Sequence, residues 1–357
     1  MDLARYDFAL PADRIAQQPS EPRDASKLLL LDRAGPTNAS GCRHATFDQL
    51  PDWLEPGDLL ILNVTRVQPA RLRGRRESGG AVEALLLGPW LDPLADGTES
   101  ESGGARFRAL LKLSGRLRRG ITMSFGPPDA ALTAQIVALG ERGEVALEFE
   151  QSADPYSVGE APLPPYIRRP QAQPDDRERY QTIYAREPGA IAAPTAGLHF
   201  SEPLFRRLEA RGIETAEVVL HVGPGTFRPL DDQSLREGRL HSERYELGVA
   251  TARAIARTRE RGGRVIAVGT TSVRVLESCA SGEGQVAAGS GETDIFLRPG
   301  SEFSVVDGLI TNFHLPRSSL LLLVAAFAGR ERVLSAYDEA IARGYRFYSY
   351  GDAMLIC

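Results

Sequence analysis

Apolar positions along this chain follow two different rhythms. From about residue 190 onward, strand-length apolar runs alternate with longer stretches whose apolar residues return every three to four positions. AEVVLHV, RVIAVG, TDIFLRPG and SVVDGLI read as strands. EPLFRRLEARG, ending at Gly212, reads as a helix, as do ATARAIARTRERGG, TSVRVLESCA, RSSLLLLVAAFAG and RERVLSAYDEAIARG. YRFYSYGDAMLI closes the chain as a further strand. Such alternation predicts a sheet with helices on both faces.

Upstream, KLLLLD (27–32) and DLLILN (58–63) read as short buried strands, with TFDQLPDWL between them as a short helix. The texture changes at about 66. ARLRGRRESGGAVEALLL alternates around a Ser-Gly-Gly turn, a hairpin signal, and ARFRALLKL, LTAQIVAL and GEVALEFE are further strand-like runs. Residues 92–104 read as a loop and the proline-rich 155–176 as an extended connector, after which DDRERYQTIYA turns helical. The expected fold is therefore α/β: a layered α/β/α main domain made of 1–65 and 151–357, interrupted by an antiparallel β-barrel at 66–150.

Charge adds one feature to this picture. The whole chain carries a net charge of −5, which argues against a generally basic nucleic-acid coat. Between 66 and 119, however, eleven Arg or Lys stand against six acids. A basic patch on a β module is a nucleic-acid footprint or a solvated hairpin face. Arg66, Arg71, Arg73, Arg75 and Arg76 are its candidate RNA contacts. The three cysteines have no metal-site spacing, and no H-E-x-x-H or G-x-S-x-G is present. No metal is expected. The longest apolar run, LLLLVAAFAG, falls short of the roughly 20 residues that span a bilayer, and the opening MDLARYDFALPADRIAQQ has charges where a signal peptide needs apolar residues. These features suggest a soluble, cytoplasmic protein.

Candidate chemistry sits at strand ends. HVGPGTFRPL (221–230) lacks the third glycine of a dinucleotide fingerprint, having Arg228 there, and lacks the lysine of a phosphate loop. It is either a sharp turn capped by Thr226 or a ligand turn of another kind. IAAPTAGLHF (191–200) places Thr195, Gly197 and His199 before a helix, whose free N–H groups favour an anion. VIAVGTTSVRVLES puts Thr270, Thr271 and Ser272 at a helix start, where capping needs only one hydroxyl. GRLHSERYEL joins His241 to Glu243, TNFHLPRSSL carries His314, and FYSYGDAM ends in Asp352. Each also has a plain structural reading as a cap, turn or core residue.

Taken in order, NVTRVQPARL, PLPPYI, YQTIYA, APTAGLHF, HVGPGTF, HSE, GTTSVRVLES, DGLITNFHLP, LLLLVAAFAG and YRFYSYGDAMLI resemble the S-adenosylmethionine:tRNA ribosyltransferase-isomerases of queuosine biosynthesis. The resemblance spans essentially the whole chain and implies an α/β domain interrupted by a barrel. It also implies that tRNA bearing 7-aminomethyl-7-deazaguanine at the wobble position is one substrate. It implies further that S-adenosylmethionine is a consumed co-substrate rather than a cofactor and that the products are epoxyqueuosine-tRNA, adenine and methionine. That chemistry needs a general base and acid near neutrality. Since His44 lies outside the blocks, His199, His221 and His241 are the candidates for proton transfer, with Glu243 orienting or sharing the task. Thr195, Gly197, Gly223, Gly225, Thr226, Thr270, Thr271, His314 and Asp352 are the candidates for substrate binding. The chain departs from the family pattern in Val64 of NVT and in Pro224. Two other functions compatible with these residues are an S-adenosylmethionine-dependent RNA methyltransferase and a non-catalytic tRNA-binding protein. A monomer is expected.

Overall fold

The computed structural model describes residues 1–35, 41–90, 104–140, 143–150, 153–169, 173–223, 225, 230 and 232–357. The chain forms two compact units. One comprises Met1–Arg66, Pro165–Arg168 and Arg179–Cys357; the other comprises Val67–Pro164 and Arg169–Glu178.

In the first unit, among the described residues, nine strands make one sheet with a parallel centre. Leu59–Asn63 lies between Glu214–Leu220 and Val265–Val268, and Gly308–Asn312 pairs with Val265–Val268, all parallel. Ala353–Ile356 runs antiparallel beside Gly308–Asn312 and parallel to Lys27–Leu31, and Cys42–Thr46 forms that edge. On the other side Arg239–Leu247 runs antiparallel to Glu214–Leu220, and Gly289–Ile295 forms the second edge. One end of the sheet thus collects the carboxyl ends of the four parallel strands. The amino ends of Arg239–Leu247, Ala353–Ile356 and Lys27–Leu31 arrive at the same end.

Successive strand residues point to opposite faces, so an uninterrupted apolar strand must feed two cores. Leu59 and Ile61 join one and Leu60 and Leu62 the other; Lys27–Leu31 divides likewise into Leu29 and Leu31 against Leu28 and Leu30. Helices Val249–Glu260, Thr270–Ser278, Ser319–Ala328 and Arg330–Ala342 supply the first core. Helix Glu202–Ala210 and the 3-10 segment Phe47–Trp53 supply the second. This is the α/β/α layering that the alternation implies. No described helix is long and apolar enough to cross a membrane.

Local departures from the sequence reading have physical causes. DDRERYQTIYA is helical only at Asp176–Arg179, because Tyr180 beyond it is drawn fully into the interior. YRFYSYGDAMLI is strand only at Ala353–Ile356; the tyrosines before it form a turn in which Tyr348 has a φ of 72°. The strands expected at TDIFLRPG and SVVDGLI are shifted, ending at Ile295 and starting at Gly308.

The second unit holds a closed six-stranded barrel. Its order is Glu144–Phe149, Arg106–Leu113, Ala81–Pro89, Arg71–Arg76, Thr122–Phe125 and Leu132–Leu139. Leu72, Val82, Ala84, Ala109, Phe125 and Ile136 fill the interior. The alternation then turns Arg71, Arg73 and Arg75 outward. Register sets Arg73 against Glu83, and Glu83 against Lys112. Beyond the strands, the unit takes in residues 153–164, 169 and 173–178, much of it in the stretch read as a connector. The loop expected at 92–104 lies outside the described residues, apart from Gly104.

Candidate functional site

The carboxyl end of an open α/β sheet is where such folds bind ligands, and the first unit has a cavity of about 490 Å³ there. That is within the roughly 300–1,000 Å³ of small-molecule sites. Residues 192–196, 269–271 and 311–320 line it, with Tyr166, Val222, Tyr348 and Ser349. Hydroxyls are abundant: Thr195, Thr270, Thr271 and Thr311 face the space. Gly269, with a φ of 87°, makes the turn from strand to helix, so Thr270–Ser278 starts at the cavity wall and offers it unpaired N–H groups. The Thr271 Oγ1 atom is buried without a partner. Leaving such a group unpaired costs about 1–3 kcal/mol, which a ligand hydroxyl or carboxylate would recover.

Asn312, buried at the end of its strand, ties the cavity floor together. Its Nδ2 donates to the Tyr348 carbonyl at 3.2 Å, which fixes the amide orientation, and its Oδ1 accepts from the Thr195 hydroxyl at 2.9 Å. The same Nδ2 lies 3.1 Å from His199 Nε2. That nitrogen must therefore accept, so Nδ1 carries the proton and donates to Ser26 Oγ at 2.7 Å. His199 also stacks on Phe47, 4.9 Å between centroids. Burial, then Arg346 and Arg23, lower its pKa to about 3, so the imidazole is neutral near pH 7. His199 stands behind the cavity wall, with both ring nitrogens engaged.

His314 lines the cavity, with Nε2 2.7 Å from Thr311 Oγ1; burial lowers its pKa to about 3 as well. His221 pairs with Thr65 Oγ1 at 2.9 Å, and burial followed by Arg244 lowers its pKa. Asp352 accepts the N–H groups of Lys27 at 2.9 Å and Arg346 at 2.7 Å, and burial raises its pKa. Its oxygens hold the tyrosine turn to the neighbouring strand rather than facing the cavity. Gly197 lies in the 3-10 segment Thr195–His199, where a Cβ would stand 2.0 Å from the Tyr184 hydroxyl. Thr226 lies outside the described residues.

A smaller cleft of about 40 Å³ shares Ser319 and Leu320 with the main cavity and is lined by Gly225, His241, Glu243 and Arg274. Glu243 and Arg274 are ion-paired and buried. The Glu243 carboxylate also accepts the Gly223 N–H at 2.7 Å, and Arg274 donates to the Thr293 carbonyl at 3.3 Å. Gly225 packs on the His241 ring so closely that a Cβ would lie 2.5 Å from its Cδ2.

Among the described residues, two that are not glycine have left-handed φ, Arg317 at 57° and Tyr348 at 72°, and both line the cavity. Such backbone costs of order 1–3 kcal/mol and gathers at functional sites. Asn312, Arg274, Arg317 and Tyr348 are the site residues that the sequence reading passed over. The one available signal was an arginine inside the otherwise apolar VRVL of a helix.

Of the candidate RNA contacts, Arg66 is exposed at the end of the first unit. In the barrel Arg71 pairs with Glu83 at 3.6 Å and Arg73 with Glu160 at 3.0 Å, while Arg76 donates to Ser114 Oγ at 3.2 Å. Arg75 is exposed. Among the described residues, no group of His, Cys, Asp and Glu side chains is placed to hold a metal.

A hydroxyl-lined cavity at the carboxyl end of a parallel-centred sheet, in a chain that also folds a closed barrel, defines an α/β enzyme with an inserted β module. The comparisons narrow the class. The profile of the queuosine biosynthesis protein family matches residues 3–356, and the chain belongs to that family. It is similar to the S-adenosylmethionine:tRNA ribosyltransferase-isomerase of Anaeromyxobacter sp. (strain Fw109-5), 52% identical over 100% of this chain and 99% of that one. The protein of the same name from Pelobacter propionicus is 48% identical over 100% of both. The crystal structure of S-adenosylmethionine tRNA ribosyltransferase from Thermotoga maritima is 37% identical, with a TM-score of 0.54 over 99% of this chain and 100% of that one.

Proposed function

We propose that this chain is an S-adenosylmethionine:tRNA ribosyltransferase-isomerase. It transfers the ribosyl moiety of S-adenosylmethionine to 7-aminomethyl-7-deazaguanine at the tRNA wobble position and isomerises it, releasing adenine and methionine and leaving epoxyqueuosine-tRNA. The observation that carries this reading is full-length identity of about one half to relatives of that name. No observation favours a methyltransferase or a non-catalytic tRNA-binding protein.

The reaction makes definite demands. The sulfonium acidifies the protons on the adjacent ribose carbon, and a base that removes one starts ring opening and loss of adenine. The protonated aminomethyl group must also lose a proton before it can attack. Methionine then leaves as a neutral thioether.

We place S-adenosylmethionine in the 490 Å³ cavity. Its carboxylate meets the start of helix Thr270–Ser278, and its ribose hydroxyls meet Thr195, Thr270 and Thr271. Of His199, His221 and His241, only His241 lines a described cleft, so we assign proton transfer there first. Glu243, anchored by Arg274, holds the Gly223–Gly225 turn against it. His199 and His221 brace Asn312 and the strand end. His314 lines the cavity, while Gly197 and Asp352 hold the segments behind it. Arg66 and the barrel arginines Arg71, Arg73, Arg75 and Arg76 grip tRNA phosphates. This reading uses no metal or organic cofactor. It makes the enzyme a monomer in the cytoplasm, where tRNA and S-adenosylmethionine both occur.

The test is incubation with precursor tRNA and S-adenosylmethionine labelled in the ribose. Label entering tRNA supports the reading; a labelled methyl group in tRNA instead identifies a methylase.

A further inference from the structure

Arg317, on the cavity rim, has a side chain whose identity the stability of the fold does not explain. Its left-handed backbone, φ 57°, suits glycine better than arginine. Its N–H donates to the Tyr6 carbonyl at 3.0 Å, a bond that glycine would form equally well. Its guanidinium meets Asp7 at 3.0 Å, with the two side chains 59% and 42% exposed, and a pair so open adds little to stability. The pair does not offset the strain of a bulky residue at this φ. Among the described residues lining the cavity, Arg317 is also the only one with a permanent charge.

We propose that Arg317 is a tRNA contact, taking a backbone phosphate beside the wobble nucleoside when that nucleoside is delivered to the cavity. The assignment rests on the tRNA reading above. One base of a polymer must reach a co-substrate held inside the cavity while its phosphates stay in solvent, so an exposed cation on the rim meets the backbone. The planar guanidinium can bond two phosphate oxygens at once. Asp7 then serves as a stand-in anion for the free enzyme and gives way to the phosphate. The methionine carboxylate is the other available anion, but the cavity interior already offers it the N–H groups at Thr270 and Thr271. The turn ends at Ser318, whose hydroxyl caps helix Ser319–Ala328, accepting from the Leu321 N–H at 3.2 Å. The arginine is thereby fixed to a rigid element.

The experiment compares the full-length wild-type chain with Arg317→Gly, Arg317→Lys and Asp7→Asn. Binding of the precursor tRNA is measured across a potassium chloride series, together with the KM for S-adenosylmethionine and the thermal midpoint. Arg317→Gly should weaken tRNA binding roughly tenfold and lower the log–log salt slope by about 0.7–0.9. Its KM for S-adenosylmethionine should stay at the wild-type value and its thermal midpoint should hold or rise, because the strain is relieved. Arg317→Lys should recover part of the affinity, and Asp7→Asn should bind tRNA as well as wild type or more tightly. If wild type binds tRNA and Arg317→Gly matches it in affinity and slope, the assignment alone is overturned. A raised KM for S-adenosylmethionine with unchanged tRNA affinity overturns it too, in favour of the carboxylate. If wild type fails to bind tRNA, this assignment and the reading beneath it fall together.

Discussion

Glu243 and Arg274 form an ion pair with side chains only 5% and 8% exposed, and the same carboxylate accepts the Gly223 N–H at 2.7 Å. A strand of the sheet and a helix are thus joined at the turn that follows Leu220. Removing one partner of such a pair strands the other as an uncompensated buried charge. Arg274→Met is expected to cost about 3–5 kcal/mol of stability. Adding Glu243→Leu should return most of that stability while turnover stays low, because the turn has lost its anchor. Urea midpoints and turnover of the single and double variants check this; a single variant as stable as wild type contradicts it.

His199 and His314 are buried and have pKa values lowered from 6.5 to about 3. The unfolded chain takes up a proton at each as pH falls below about 6.5, while the folded chain stays neutral until near pH 3. The stability they contribute is therefore present above the unfolded pKa and is lost progressively as pH falls towards 3. Between pH 7 and 5, each should cost about 2 kcal/mol. Urea titrations at the two pH values measure the loss, and His199→Gln should show roughly one histidine's share less of it.

A Cβ on Gly197 would lie 2.0 Å from the Tyr184 hydroxyl, a buried group without a partner. Gly197→Ala should destabilise by about 1–3 kcal/mol through overpacking. Tyr184→Phe removes the clashing oxygen and should restore part of the loss, whereas by itself it should be close to neutral. Thermal midpoints of the two single variants and the double variant decide this.

In the barrel Arg71 and Arg73 already face Glu83 and Glu160, whereas Arg75 is exposed. Arg75→Ala should weaken tRNA binding and lower the salt slope by about 0.7–0.9 with the thermal midpoint unchanged. Arg73→Ala should lower the midpoint as well, since it also breaks a pair within the unit. Unchanged tRNA affinity in Arg75→Ala would remove that residue from the interface.

The strand–turn–helix at 265–278 is legible from sequence, because an apolar run, one glycine and three hydroxyls are all local signals. Asn312 and Arg274 are not legible in the same way. Their importance comes from His199, 113 residues from Asn312, and from Glu243, 31 residues from Arg274, partners that only the strand order brings near. His199 stands out in the sequence by residue type, yet Ser26, which takes its Nδ1 hydrogen bond, lies 173 residues away. The sequence blocks scattered along the chain meet because parallel strands deliver their carboxyl ends to one edge, with the reversed strands bringing their amino ends there. The helix expected through Tyr180 fails for the complementary reason, since a buried aromatic outweighs local propensity.

The most direct measurement follows the fate of S-adenosylmethionine in a complete reaction with precursor tRNA. The account predicts that adenine and methionine are released in equal amounts, matched by ribose-derived label in tRNA, with no S-adenosylhomocysteine formed. Release of S-adenosylhomocysteine, or S-adenosylmethionine recovered intact beside bound tRNA, would contradict it.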